Sequence, residues 1–372
     1  MLSLLQCSFM KNLITGAYSL YKEFLSTLQL ESCGFQSDKL KVPKYIELHV
    51  EERCFFRCLH CDIWKLKKTK NGLSLYDTKK LIEKLKSQLG NFQLVLSGGE
   101  PFLNRNTIPI IKYANSLGIS TLTNSNGYLI TDKKAKAIVN SGLNVILISV
   151  DSPQAKIHDF TRDKKGAHKK AVMAIKQLIK YKGSSDLEVG INTIIMEPNI
   201  DKLDKIVNFA CELGVSSISF QPIFENFAKT NLSPKWYKKS KFFPKDEEVI
   251  IDSIDKIIAM KKAGFPVANS VHFLKRTKKY FLSYDNFIKR IPCHVGKTNI
   301  TIDRLGDVRF CWFYESIGNI KNNDINTIWN SQKAKEVRSL IKTCKKGCRI
   351  LLCNSPKTTQ ELIESLVHKI IK

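Results

Sequence analysis

The stretch YIELHVEERCFFRCLHC, Tyr45–Cys61, decides how the chain is read. Its first part, Tyr45–Val50, is a short apolar run of strand character. Three cysteines follow on what must be a tight loop, Cys54-x3-Cys58-x2-Cys61. Soft thiolates at this spacing can grip three irons of a [4Fe–4S] cube and leave the fourth iron open to a small molecule. The competing assignment of the same residues is a zinc site with a fourth ligand nearby, such as His60.

Outward from this loop, strand and helix signals alternate. Apolar runs recur at Gln93–Leu96, Ser120–Leu122, Asn144–Val150, Glu188–Ile195 and Ser217–Phe220, with helical patterns such as Leu81, Ile82, Leu85 and Leu89 between most of them. Six β/α units over 44–225 predict an α/β fold with a parallel sheet and right-handed crossovers, open or curled into a partial barrel. Ligands then belong at the carboxyl ends of the strands. Before this core, 1–43 carries an amphipathic helix (Leu13, Ile14, Ala17, Leu20, Tyr21, Phe24, Leu25, Leu28), expected to pack on the main domain, with contact to acidic lipid as the sharper alternative. After it, 226–290 is lysine-rich with a helix at about Asp246–Ala263, and reads as a connection. In 291–357, Thr298–Asp303 and Val308–Trp312 flank Gly306-Asp307 as a hairpin, followed by a helix at about Asn326–Ile341. A last amphipathic helix lies in 358–372, using Leu362, Ile363, Leu366, Val367, Ile370 and Ile371.

Composition narrows the field. At 372 residues, 43% hydrophobic and 25% charged, the chain can bury a large core and is not globally disordered. No apolar run reaches a membrane span, and Met1–Leu20 lacks the pattern of a cleaved signal peptide, so the expected location is cytoplasmic, with peripheral membrane contact as an option. The 60 Lys+Arg against 34 Asp+Glu leave a net charge of +26, which attracts anions such as nucleic acid, acidic lipid or an acidic peptide. The basic runs are scattered and form no nucleic-acid module, which makes nucleic acid a poor partner. Eleven cysteines in a chain of this type are hard to explain as disulfides. Cys7, Cys33 and Cys211 stand alone, as small core residues do. Cys293, Cys311, Cys344, Cys348 and Cys353 form a second group, in which Cys293 and Cys311 straddle the predicted hairpin.

A second motif, Ser97-Gly98-Gly99-Glu100-Pro101, follows the second strand and would share a rim with the cysteine loop. Paired glycines let a ligand approach the backbone, and the Glu can accept hydrogen bonds from an ammonium.

Together the two motifs resemble the radical S-adenosylmethionine (radical SAM) superfamily. The cysteine spacing matches its hallmark, with His60 in the aromatic-type position before the last Cys, and Gly98–Pro101 matches its Gly-Gly-Glu-Pro segment. The resemblance continues through Thr123-Asn124 and Asn126-Gly127, where Ser125 is inserted into the usual Thr-Asn-Gly. It extends through Ser149-Val150-Asp151, His158-Asp159-x2-Arg162, Asn192 and Gln221-Pro222, over roughly 44–225. It implies a partial (β/α)6 TIM-like barrel. The [4Fe–4S] cluster on Cys54, Cys58 and Cys61 would chelate the methionine part of SAM. Gly98, Gly99 and Glu100 would meet its ammonium, and Ser149 and Arg162 its carboxylate or ribose, with Asn124 and Asn192 also at the cofactor. An external one-electron reductant of flavodoxin or ferredoxin type would feed the cluster, and reductive cleavage of SAM would give a 5′-deoxyadenosyl radical that takes hydrogen from a substrate. The site must be dry when the radical forms.

Residue by residue, plainer roles compete. Arg162 would pair with Asp159, Asn192 would be a strand-end hydrogen bonder, and Ser149 would cap the next helix. The C-terminal cysteines resemble the SPASM/twitch extension, a small α+β iron–sulfur domain, whose signature of Cys, a gap, Gly, four residues and Cys is met by Cys293, Gly306 and Cys311. Ile317–Ile320, Trp329 and Arg338 fall where such domains carry related segments. Five cysteines imply one auxiliary [4Fe–4S] cluster, held by Cys293, Cys311 and two of Cys344, Cys348 and Cys353, with structural zinc as the alternative. Many such relatives act on peptides or proteins, and a basic surface suits an acidic leader peptide. The 43 residues before the first strand are too few for a fused peptide-recognition domain, so a separate recognition protein would serve. Dehydrogenation or rearrangement of a sugar, nucleotide or cofactor precursor is the alternative, and a noncatalytic Fe–S or zinc protein the alternative of another class. SAM binding separates the last from the others. No catalytic side chain is named by the sequence. Asp151, Gln221, Glu225 and His272 are rim candidates.

Overall fold

Parallel β/α units are laid down because each strand is apolar on the face its helix covers. In the computed structural model, which describes residues 43–66, 72–225, 235–291 and 293–350, six strands follow one another in this way. They are β1 (Tyr45–Glu51), β2 (Gln93–Gly98), β3 (Ser120–Ser125), β4 (Val145–Ser149), β5 (Glu188–Ile195) and β6 (Ser217–Pro222), all paired in parallel with their sequence neighbours. The result is an open partial (β/α)6 barrel. The amphipathic helices expected in 1–43 and 358–372, and Cys353, lie outside the described residues. Among the described residues no helix is long and apolar enough to cross a membrane.

The helix Leu75–Leu89 shows how local sequence sets an element. Ser74 caps its first turn reciprocally with Asp77, and Gly90, at φ 69°, lets the chain leave it. Its Leu81, Ile82, Leu85 and Leu89 are buried on one face. Across the sheet, one pleat face is packed under helices through residues such as Ile46, Leu48, Leu94, Leu96, Ile146 and Ile148. The opposite face, with Glu47, His49, Ser97, Asn124, Ser149 and Asn192, is only half-buried and lines the barrel's inner side.

The C-terminal extension joins the barrel edge to edge. Strand β7 (Asn299–Ile302) pairs in parallel with β1, and β8 (Asp307–Arg309) and β9 (Gly318–Asn319) continue antiparallel, giving one nine-stranded sheet in the order β6-β5-β4-β3-β2-β1-β7-β8-β9. Gly306, at φ 92°, turns the β7–β8 hairpin. The single helix expected at 326–341 is two, Ile325–Asn330 and Gln332–Lys342, because Ser331 turns extended (ψ 158°) and caps the second through its hydroxyl on the Ala334 amide. Arg338 fastens this unit: it lies over the rings of Phe310 (4.4 Å) and Trp329 (4.3 Å) and donates to the carbonyls of Gly296 and Trp329.

The region 226–290 is more than a connection. Besides Glu247–Lys262 it holds the helices Trp236–Lys239, Val271–Leu282 and Tyr284–Arg290. Their aromatic residues Tyr280, Phe281, Tyr284 and Phe287 are buried together with Phe243 of the loop after Trp236–Lys239. The lysine content hid this core, because the lysines occupy the outer faces.

Candidate radical and iron–sulfur sites

The cysteine loop is seated by backbone. As β1 ends, the Glu51 carbonyl accepts the Gly99 amide at 2.7 Å and the Arg53 carbonyl accepts the Glu100 amide at 3.0 Å. A side chain on Gly98 would stand 1.9 Å from the Glu51 oxygen, and one on Gly99 2.3 Å from the Arg53 oxygen. These glycines therefore let the second-strand turn press against the cysteine loop itself. Phe55, the buried Phe56 and Tyr128 pack edge to face beneath the loop, with centroids 5.1–5.6 Å apart. Burial pushes the thiol of Cys54 up to about 11 and that of Cys58 up to about 12, and raises Cys61 as well. Bare, they hold their protons at neutral pH, and metal binding would release them.

Glu100 is buried and does not face an open rim. Its carboxylate accepts the Ser125 hydroxyl (2.9 Å), the Asn126 amide (2.9 Å) and the Phe102 amide (3.1 Å), locking the β2 turn to the end of β3. The Ser125 that interrupts the expected Thr-Asn-Gly is one of its partners. Asn124, Ser149 and Asn192 fall on successive strands of the inner face, with Ser149 and Asn192 directly opposite in register. The side-chain oxygens of Asn124 and Asn192 are buried with no hydrogen-bond partner, which is costly unless a ligand supplies the donor. The Asn192 oxygen thus lacks the partner that the plainer expectation would give it. Ser149 caps nothing: the helix Ala155–Arg162 begins after Gln154, and its entry is shaped by Ser152.

Arg162 does not pair with Asp159, which instead accepts the Gly166 and His168 amides. It forms a buried two-point pair with Asp151, at 2.7 and 2.8 Å. Burial pushes the Asp151 carboxyl up, but the guanidinium outweighs it and holds the group at about 2. Asp151 is fully buried, which removes it from the rim candidates. Gln221 is half-buried at the end of β6, and His272 is half-buried on the helix Val271–Leu282.

Sequence reasoning missed a polar group on the inner face. Glu47 on β1 accepts the Ser97 hydroxyl (2.5 Å) and the Thr301 hydroxyl of β7 (3.1 Å) and pairs with His49 (3.3 Å). Trp312 lies against the His49 ring, with centroids 4.5 Å apart. A signal existed: polar residues at alternate positions of a strand that should be apolar on both faces.

In the extension, Cys293, Cys311 and Cys344 act on one another and on Tyr314 electrostatically, and burial pushes Cys311 up to about 11. Cys348 is buried and acts on Tyr280 and Tyr284. Among the described residues, no three His, Cys, Asp or Glu side chains stand close enough to hold a single metal ion.

A model of the radical SAM superfamily matches residues 50–210, and a model of the SPASM iron–sulfur cluster-binding domain matches residues 293–354. The chain belongs to the radical SAM superfamily. This radical SAM protein is similar to an AdoMet-dependent heme synthase of Oleidesulfovibrio alaskensis, 29% identical over 50% of this chain and 49% of the relative. It is also similar to a PqqA peptide cyclase of Bradyrhizobium diazoefficiens, 23% identical over 51% of this chain and 49% of the relative. The match therefore spans about half the length of these two curated relatives. In fold it is similar to Streptococcus suis SuiB bound to precursor peptide SuiA, with a TM-score of 0.63 at 16% identity, covering 93% of this chain and 79% of that one.

Membership brings a [4Fe–4S] cluster and SAM as cofactors, and the SPASM domain an auxiliary iron–sulfur cluster. The residues fit both groups: three buried-side thiols on one loop for the cluster, and two unpartnered amide oxygens on the inner face for a donor-bearing ligand.

Proposed function

We propose that the chain is a radical SAM enzyme that oxidises or otherwise modifies a peptide or protein side chain, assisted by one auxiliary cluster. When bound, the reduced cluster supplies the electron that cleaves SAM to methionine and the 5′-deoxyadenosyl radical, which takes hydrogen from the substrate. In this reading Cys54, Cys58 and Cys61 hold that cluster. The backbone of Gly98 and Gly99, with Asn124, Ser149 and Asn192, receives SAM. Glu100 serves by fixing the turn. Cys293, Cys311 and Cys344, with Cys348 or Cys353, hold the auxiliary cluster. A flavodoxin- or ferredoxin-like protein supplies electrons.

One observation carries the peptide assignment. Two lysine-rich segments far apart in sequence converge on one aromatic core. Trp236 donates to the Tyr284 hydroxyl at 2.8 Å, and Tyr237 stacks on the Tyr284 ring at 4.3 Å. Exposed Lys235, Lys238, Lys239 and Lys241 are thereby gathered with Lys275 and Lys279 of the helix Val271–Leu282, which itself packs on the cysteine segment Gly347–Ile350. A basic face beside the extension suits an acidic leader. The peptide substrate implied by the name of the PqqA cyclase points the same way. The heme synthase match favours a second reading, a small cofactor precursor as substrate.

The test is SAM cleavage by the anaerobically reconstituted full chain, with Glu-rich synthetic peptides or with tetrapyrrole and sugar phosphates added. Salt-sensitive peptide binding that raises 5′-deoxyadenosine formation is the expected result. Stimulation by a small molecule alone would move the assignment to the second reading, and no SAM binding would remove both.

A further inference from the structure

The exposed side of the cysteine loop carries apolar side chains rimmed by cations. Leu59, between Cys58 and Cys61, is 38% exposed, and Phe160 on the helix Ala155–Arg162 is 51% exposed. The Leu59 amide donates to the Thr161 carbonyl at 2.9 Å, which holds the loop against the end of that helix. Arg57 of the loop is exposed and lies over the Trp64 ring at 4.7 Å. Lys164 lies 6.0 Å over Phe55 of the loop and 5.5 Å over Tyr128, and the exposed Lys170 lies 5.9 Å over Tyr128. Lys165 and Lys169, between them in sequence, are exposed as well. Nearby carboxylates do little to neutralise these cations. Asp159 accepts the Gly166 and His168 amides, Asp62 pairs with Lys65 at 2.7 Å, and Asp163 is exposed. Among the described residues Arg57, Lys164, Lys165, Lys169 and Lys170 form no ion pair. Lys169 and Lys170 also stand in the first turn of the helix Ala167–Lys182, which has no acidic residue there. The helix dipole therefore adds to their positive field instead of compensating it.

We propose that this face, with Leu59 and Phe160 at its centre and Arg57, Lys164 and Lys170 on its rim, is the docking surface for a small acidic protein that delivers single electrons to the N-terminal cluster. The inference rests on the proposed function, in which Cys54, Cys58 and Cys61 hold that cluster. An apolar centre with a charged rim is the anatomy of a protein interface. The surplus of one sign of charge selects a partner of the other sign and speeds its encounter. The place selects an electron carrier: Phe55, Arg57 and Leu59 are interleaved with the three cysteines, so a protein seated on them stands beside the cluster's own ligands. On another side the loop is covered by the turn at Gly98–Gly99, whose amide bonds to the Glu51 carbonyl. In the step so served, the reduced carrier is oxidised by one electron and the cluster is reduced by one, with no bond made or broken.

The test uses the anaerobically reconstituted full chain and a bacterial flavodoxin. Binding of the oxidised flavodoxin is measured by calorimetry at low and high salt. SAM cleavage to 5′-deoxyadenosine is driven either by reduced flavodoxin or by dithionite, which needs no docking surface. Lys164→Glu/Lys170→Glu should weaken flavodoxin binding at low salt about tenfold or more, and raise the flavodoxin concentration that half-saturates the rate in step. The dithionite-driven rate should stay as in wild type. Lys84→Glu/Lys112→Glu removes the same charge from exposed lysines of two other helices, and should change binding by no more than about twofold. Lys164→Gln/Lys170→Gln should weaken binding in the same direction by less, and it keeps the test open if the charge reversal prevents iron loading. Equal losses in the two charge-reversal pairs would be a response to net charge alone and overturn the proposal. So does flavodoxin binding left unchanged by both changes at Lys164 and Lys170, whether the face proves to be covered by the chain's own residues 1–42 or to take a Glu-rich peptide. A dithionite-driven rate that falls while binding is unchanged assigns the lysines to support of the loop and also overturns it. A wild-type chain that cleaves SAM with dithionite but binds no flavodoxin overturns this proposal and leaves the proposed function standing. One that cleaves no SAM with either reductant overturns the proposed function, and this proposal with it.

Discussion

The carboxylate of Glu100 accepts the backbone N–H of Asn126 at 2.9 Å. This bond joins the turn after β2 to the end of β3, and the Ser125 hydroxyl and the Phe102 amide complete the knot. Three donors converge on the carboxylate; burial raises its pKa, and they offset that rise only in part. In Glu100→Gln one oxygen becomes an NH2 facing a donor. The expected loss is about 2 kcal/mol of stability, read as a lowered unfolding midpoint, with SAM binding weakened in step. Full stability with weak SAM binding would show that Glu100 acts on the ligand directly.

Gly98 and Gly118 separate close approach from backbone conformation. Both have positive φ, 121° and 67°. A side chain at Gly98 meets the Glu51 oxygen at 1.9 Å, whereas nothing lies within 4 Å at Gly118. Gly118→Ala should cost about 1–2 kcal/mol from the left-handed conformation alone. Gly98→Ala should cost about 3 kcal/mol or more, since the β1 and β2 turns must part. Chemical denaturation of the two variants measures the difference, and equal costs would refute the clash.

Asn192 offers a split between stability and binding. Its side-chain oxygen is buried without a partner, so removing it relieves a cost in the ligand-free chain. Asn192→Ala should leave the thermal midpoint unchanged or slightly raised while weakening SAM binding about tenfold. Equilibrium dialysis with labelled SAM checks the second half. Unchanged affinity would place SAM elsewhere on the rim.

Acid should act through His158. The Asp151 amide donates to its Nδ1 at 3.1 Å, so the neutral ring carries its proton on Nε2. Burial is the main cause that holds His158 down at about 3, against an unfolded value near 6.5. The folded state thus binds fewer protons there than the unfolded state. Its contribution is whole above about pH 6.5 and is lost progressively as pH falls toward 3. Asp151, held at about 2 against 3.8, adds a second loss as pH falls below about 4. Thermal midpoints from pH 8 to 4 should decline from near 6.5, and His158→Gln should flatten the upper part of that decline. A flat profile in the wild type would contradict the assignment.

How far the sequence reached depends on the range of each interaction. All six barrel strands, the loop of Cys54, Cys58 and Cys61, the turn at Gly98–Gly99 and the hairpin at Gly306 were legible. Alternation of apolar residues, left-handed glycines and caps such as Ser74 act over a few residues and leave a local pattern. The helices Val271–Leu282 and Tyr284–Arg290 were missed because their lysines mask an aromatic core assembled from several segments.

The sequence by itself determined the family, the barrel order and the residue types available for a cluster and a nucleoside ligand. Only the tertiary structure decided which partner each charged or polar group takes. It pairs β7 with β1 and so brings Thr301 to Glu47 across 254 positions. It gives Arg162 to Asp151 rather than to Asp159, and turns Glu100 inward onto Ser125 and Asn126. The physical reason is that a buried charge has several acceptable partners along the chain, and the one it takes is the one that packing places within about 3 Å once water is excluded.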